Sequence, residues 1–152
     1  MNKPPWLVVK VKHKNKITQI KKILDDSNLH TVCEEALCPN IGECWNKKSV
    51  TFMILGDICT RNCSFCAVAK GKPKPPDLME PSNIANMVQK LNLNHVVITS
   101  VDRDDLEDNG ASHFVNTVNN IKIANPNTTI EVLIPDFIGY HNGIKQVVES
   151  KP

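Results

Sequence analysis

The sequence has no apolar run long enough to cross a bilayer. The longest, Val50 to Leu55, falls far short of the ~20 residues a membrane helix needs, so no membrane partner is expected. An apolar leader is also missing: the first residues carry Lys3, Pro4 and Pro5 in place of a hydrophobic stretch. A secreted product is therefore not expected, and a disulfide framework loses its context. Charge of one sign is scarce overall, because the net charge is only +2. Seven Lys against two Asp fall in residues 1–30, with no Arg and one Trp among them. Such a run reads as a solvated face, and no nucleic-acid partner is expected. No repeat and no low-complexity tract interrupts the chain.

The 152 residues make one domain on length, with 41% hydrophobic and 22% charged residues, enough to bury a core. Residues 1–16 read as basic and extended. Ile17, Ile20, Ile23 and Leu24 then share one helical face, ended by Ser27-Asn28. The residues around Cys33 then read as a loop running into a short helix from Pro39, with Trp45 packed in the core. Val50 to Leu55, His95 to Thr99 and Ile130 to Ile134 read as strands. Between them, Pro81 opens a helix with the stripe Ile84, Met87, Val88 and Leu91, and Ala111, Phe114, Val115, Val118 and Ile121 mark another. Residues 71–77 form a Pro-rich connector, and a weak helix from Gly143 to Glu149 ends the chain. The order β-α-β-α-β-α predicts an α/β fold with three parallel strands and helices outside.

The chemistry is concentrated in cysteine. Cys59, Cys63 and Cys66 lie within eight residues, directly after the first of the three strands. Three thiolates at this spacing suit one metal cluster, whereas a tetrahedral zinc site needs a fourth ligand. No His lies inside the loop. The spacing matches neither ferredoxin pattern. Three Cys on a four-iron cluster leave one iron open to a substrate or cofactor. Upstream, Cys33, Cys38 and Cys44 form a second triplet, so all six cysteines are accounted for. With nothing pointing outward, they read as reduced thiols in the cytoplasm, or the mitochondrial matrix of a eukaryote.

The Cys59, Cys63 and Cys66 triplet, with Phe65 just before its last Cys, resembles the pattern of the radical S-adenosylmethionine (radical SAM) superfamily. The two triplets in series, with Thr51 to Gly56, Val97 to Leu106 and Glu131 to Phe137, resemble the lipoyl synthase family from about Pro5 to about Phe137. The resemblance implies an enzyme that inserts two sulfur atoms at C6 and C8 of a protein-bound octanoyl group, giving the lipoyl cofactor. It implies two 4Fe–4S clusters and S-adenosyl-L-methionine. Cys59, Cys63 and Cys66 would hold the cluster that binds S-adenosylmethionine, and Cys33, Cys38 and Cys44 the auxiliary cluster that gives up sulfur. The partners implied are octanoylated lipoyl carrier domains and an electron donor such as a ferredoxin or flavodoxin. The fold implied is the N-terminal part of a partial (βα)6 TIM-like barrel, about three β/α units in residues 49–152, after a cluster-binding extension in residues 1–48. The family continues well past this length, and its C-terminal serine ligand to the auxiliary cluster is absent here. Little activity is therefore expected of this chain alone.

Phe65, Ser100 and Asp102 are candidate contacts to S-adenosylmethionine, because polar residues at the C-terminal ends of barrel strands often bind ligand. The acidic loop from Ser100 to Gly110 could equally be a solvated loop with Asp caps and an Arg103 ion pair. Asp57 and Arg61 stand open between tuning the site and loop solvation. Two other functions compete: a non-catalytic Fe–S module, of which two zinc sites are the weaker version, and another radical SAM enzyme with an auxiliary cluster.

Overall fold

A computed structural model describes residues 14–36 and 38–152 of the chain. The expectation for residues 1–13 lies outside the described residues. The elements are α1 (Lys14–Asp25), β1 (His30–Thr31), α2 (Val32–Glu35), α3 (Ile41–Asn46), β2 (Ser49–Ile54), β3 (Ile58–Cys59) and β4 (Ala69–Lys70). Then come α4 (Glu80–Leu91), β5 (His95–Ser100), α5 (Ala111–Ala124), β6 (Thr129–Leu133) and α6 (Gly143–Glu149). No helix among the described residues is long and apolar enough to cross a membrane.

The three expected strands pair in parallel. Ser49 stands opposite His95 and Ile54 opposite Ser100, while His95 stands opposite Thr129 and Thr99 opposite Leu133. Val50, Phe52, Met53 and Ile54 are all buried, as a strand covered on both faces requires. Helix α4 packs on α5, and α5 on α6. Ile84, Val88, Phe114, Val118 and Ile121 carry that face into the core.

Four expectations need correction. The sheet is mixed, not purely parallel: β1 joins β2 antiparallel, giving the order β1-β2-β5-β6. Two residues carry no readable period, so that strand left no mark in the sequence. The helix expected from Pro39 begins at Ile41, with Asn40 at its N-cap, and Pro39 sits in the preceding turn. Cys33 lies on a helical turn of its own, α2, and not in a loop. Helix α1 likewise begins at Lys14, inside the stretch read as extended. Trp45 is buried as expected, at 2% exposure.

The core runs without a break from Ile17 and Leu24 of α1, through Cys33 and Trp45, to β2 and the α4–α5 pair. At its centre the chain leaves β2 through Leu55, whose φ is 69°, and Gly56, whose φ is 92°. A left-handed Leu is costly by itself, and its neighbours hold it there. The Leu55 N–H donates to Glu80 Oε2 at 2.8 Å. The Leu55 carbonyl accepts from Arg103 Nη1 at 3.0 Å. His113 Nε2 stands 2.7 Å from the same Glu80 oxygen. Glu80, Arg103 and His113 are all at least nine-tenths buried. The Leu55 side chain lies against Gly110, where an added Cβ would clash with Leu55 Cδ1.

This packing sets a testable cost. Gly110→Ala adds a methyl group against Leu55 at a left-handed position and should cost roughly 2 kcal/mol. Glu80→Ala leaves a buried His and a buried N–H unpaired and should cost about 3 kcal/mol. Urea unfolding of the metal-free chain measures both. Losses within a few tenths of a kcal/mol would show that Leu55 is not held in this way.

Candidate cluster-binding site

Beyond Leu55 and Gly56 the chain forms β3 and reaches Cys59, which is buried. Strand β3 pairs in parallel with β4, Cys59 opposite Lys70. Between them the chain loops outward through Cys63 and Cys66, both half-buried, closed by the Cys66 N–H donating to the Cys63 carbonyl at 3.2 Å. The backbone aims an N–H at sulfur: Arg61 N lies 3.4 Å from Cys59 Sγ.

Hydrogen bonds tie this loop to the C-terminal ends of the other two parallel strands. Thr60 donates from its N–H at 3.1 Å and from Oγ1 at 3.0 Å, both to the Asp102 carbonyl after β5. Arg61 grips Asp104 with two bonds, Nε to Oδ2 at 2.7 Å and Nη2 to Oδ1 at 2.6 Å. Its Nη1 also reaches Asp136 Oδ2, after β6, at 2.9 Å and lies 3.5 Å from Asp102 Oδ1. Such paired bonds are the strong form of carboxylate recognition. They hold the Arg61 guanidinium above its usual range, with Asp104 the leading cause and Asp136 next. Arg61 in turn lowers the pKa of both Asp104 and Asp136.

Cys59, Cys63 and Cys66 line one cleft of about 550 Å³, and Phe65, Ser100 and Asp102 line it with them. Phe65 is 91% exposed, an aromatic ring standing free at the rim. Ser100 Oγ is buried without a hydrogen-bond partner. Cys59 Sγ lies 3.7 Å from Asp102 Oδ2. Val68, Val101, Leu133 and Ile134 add apolar wall. A smaller cavity, about 210 Å³ beneath the proline connector, is lined by Asp57 and Glu80 but by no thiol.

The upstream triplet is assembled from α2, a turn and α3. Cys33 and Cys44 sit on the helices, and the Cys38 N–H donates to the Cys33 carbonyl at 3.1 Å. Burial pushes the Cys44 thiol up, and Cys33, Cys38 and Glu43 add to the rise. The three groups are thus close enough to feel one another's charge. Val32, beside Cys33, belongs to the wall of the large cleft, so α2 borders the same opening. All six thiols are free. No three His, Cys, Asp or Glu side chains among the described residues converge closely enough to hold a single metal ion.

Of the nine sequence-predicted site residues, Cys59, Cys63, Cys66, Phe65, Ser100 and Asp102 line one cleft, whereas Cys33, Cys38 and Cys44 do not line it. The acidic loop resolves in two ways. Asp102 faces the cleft, whereas Arg103 is 2% exposed and ties Asp105 to the Leu55 and Lys74 carbonyls. A solvated Arg103 pair is thus corrected to a buried one. Arg61 is a loop-binding residue with three aspartates around it. Asp136 was missed, although its place just past a parallel strand was a usable signal.

The raised Cys44 thiol has a measurable sign. In the metal-free chain, half-maximal alkylation of Cys44 should come at a higher pH than for an ordinary exposed thiol, because the thiolate reacts. Mass spectrometry after short iodoacetamide pulses reads the midpoint. A midpoint at or below the ordinary one would show that the triplet is not gathered.

Comparison with known proteins agrees with this geometry. Residues 53–147 match the profile of the radical SAM superfamily. A lipoyl synthase of Caldicellulosiruptor saccharolyticus is 55% identical over 150 residues, 99% of this chain and 53% of that protein. One of Parabacteroides distasonis is 51% identical over 152 residues, all of this chain and 54% of that protein. The lipoyl synthase of Caldicellulosiruptor bescii is 55% identical, with 52% of its length covered. The chain spans about half the length of the curated relatives it matches. With a superfamily profile over most of its length and a thiol-lined cleft at the ends of its parallel strands, the chain belongs to the radical SAM superfamily.

Proposed function

We propose that this chain is the cluster-bearing N-terminal part of a lipoyl synthase, the sulfurtransferase that completes protein lipoylation. The cleft carries this reading, since it brings Cys59, Cys63 and Cys66 together with Phe65, Ser100 and Asp102. The donor set fits a 4Fe–4S cluster: three thiols spread around one cavity leave a fourth coordination position to a ligand. Bound there with S-adenosylmethionine, such a cluster supplies the one-electron chemistry that removes hydrogen from unactivated carbon.

The chain's own residues position and enclose. Cys59, Cys63 and Cys66 hold the cluster, with the Arg61 N–H directed at the Cys59 sulfur. Ser100 brings a buried hydroxyl in need of a partner, and Asp102 offers a carboxylate to the cationic groups of S-adenosylmethionine. Phe65 gives an apolar face. Cys33, Cys38 and Cys44 hold the auxiliary cluster that donates sulfur. The partial (βα)6 barrel, the cluster-binding extension before it, the octanoylated lipoyl carrier domain as substrate and a ferredoxin or flavodoxin as reductant belong to this reading. So does a cytoplasmic or mitochondrial-matrix setting, where thiols stay reduced.

Anaerobic reconstitution with iron and sulfide should yield a brown protein with iron for two clusters. Changing Cys59, Cys63 and Cys66 together to Ala should leave one of them. Zinc bound tetrahedrally at both triplets, with no iron–sulfur absorption, would sink the proposal.

The relatives named for the activity are about twice as long, and sulfur insertion needs a closed pocket with both clusters in register. An error of an ångström can cost ~100-fold in rate. The dithionite-reduced chain should therefore cleave S-adenosylmethionine slowly and give no lipoyl product from an octanoylated carrier. Adding the C-terminal portion of a relative should restore product. Lipoyl formation by the chain alone would refute the need for that portion.

A further inference from the structure

The segment after the cysteine loop runs Lys70-Gly71-Lys72-Pro73-Lys74-Pro75-Pro76. It carries three lysines at every second position and no acid. Lys70, Lys72 and Lys74 are exposed, whereas Pro73 and Pro76 are half-buried. Three prolines fix φ along a segment that forms neither helix nor strand after β4. The result is a stiff basic strap on a chain whose net charge is only +2. The nearest acids in sequence, Asp57 and Asp77, flank it and do not interrupt it.

The strap is joined to the cluster loop at two points. The Gly71 N–H donates to the Cys59 carbonyl at 3.0 Å. Lys70 Nζ donates to the Cys66 carbonyl, also at 3.0 Å. Two thiol-bearing residues are therefore one hydrogen bond from an exposed cationic surface. Lys70, paired with Cys59 across the β3–β4 ladder, stands at the edge of the thiol cleft and lines it, whereas Lys72 and Lys74 do not.

We propose that the Lys70–Lys74 strap is the docking and electron-entry surface for a small acidic one-electron carrier protein. This rests on the cluster assignment above and adds where the electron arrives. One electron passes from carrier to cluster, the carrier is oxidised by one and the cluster reduced by one, and no bond is made. Opposite charge steers such encounters and raises their on-rate, with strong salt dependence. Docking centred on Lys72 and Lys74, which do not line the cleft, leaves it free for its ligand.

The test uses the full chain, Lys72→Glu/Lys74→Glu, and reduced flavodoxin as the acidic probe. Neither side chain lines the thiol cleft. Stopped-flow reduction of the reconstituted cluster by flavodoxin should slow about tenfold or more at low salt and lose most of its salt dependence. Reduction by dithionite should stay within about twofold, since a small reductant needs no docking surface. Lys72→Arg/Lys74→Arg should behave as the parent. The metal-free chain should bind oxidised flavodoxin and the Glu variant should not, which tests docking even if no cluster forms. Equal flavodoxin rates in parent and variant would overturn the proposal, as would dithionite rates falling in parallel. So would a parent that binds a short oligonucleotide at these lysines and does not bind flavodoxin. A parent that binds flavodoxin but yields no reducible cluster would sink the cluster assignment and not the docking surface.

Discussion

The fold turns on the clamp at Leu55. Both backbone polar groups of this residue are held by buried charged side chains, Glu80 from α4 and Arg103 from the loop after β5. A buried carboxylate or guanidinium is expensive unless it is bonded. Here Glu80 also meets His113 of α5, and Arg103 also meets Asp105 and the Lys74 carbonyl. Two helices, a loop and the proline connector are thereby fixed to one residue. That residue lies four positions before Cys59, where the chain must turn from strand to thiol loop. The left-handed backbone at Leu55 and Gly56 makes the turn, and the clamp keeps it.

A second tie works further out. Arg61 spans the C-terminal ends of β2, β5 and β6 through Asp104, Asp136 and Asp102. Its side chain is 23% exposed, so solvent screens these pairs, and their worth lies in geometry more than in stability. A guanidinium is suited to this, because its planar fork fixes direction as a lysine ammonium does not. The clamp sets where the loop begins, and Arg61 sets where it lies over the sheet.

Much of this was legible in the sequence. The three parallel strands and the helices between them follow from long apolar patterns, and the six cysteines follow from spacing. What escaped was short or distant. The two-residue strand His30–Thr31 has no period to read. The β3–β4 pair is equally short and joins segments separated by the whole cysteine loop. Glu80 and His113 looked like ordinary polar residues at a helix start and on a helix, because their pairing across 33 positions is a tertiary fact. Arg103 stood among aspartates and so suggested a solvated loop, yet its fully buried side chain reaches back across 48 positions to Leu55.

The arrangement of the thiols bears on which metal chemistry the site can hold. A tetrahedral zinc ion with Zn–S bonds of ~2.3 Å draws its sulfurs to within roughly 4 Å of one another. No three ligand-type side chains among the described residues converge in that way. The thiols of Cys59, Cys63 and Cys66 share a cleft wall instead, with room of about 550 Å³ between the walls. In a four-iron cluster each thiolate would ligate a different iron, so the thiols need not converge on one point. In the upstream set burial raises the Cys44 thiol, and the charges of Cys33 and Cys38 add to the rise. Membership of the radical SAM superfamily implies one such cluster with S-adenosylmethionine, and the cleft lined by Cys59, Cys63 and Cys66 leaves room for it.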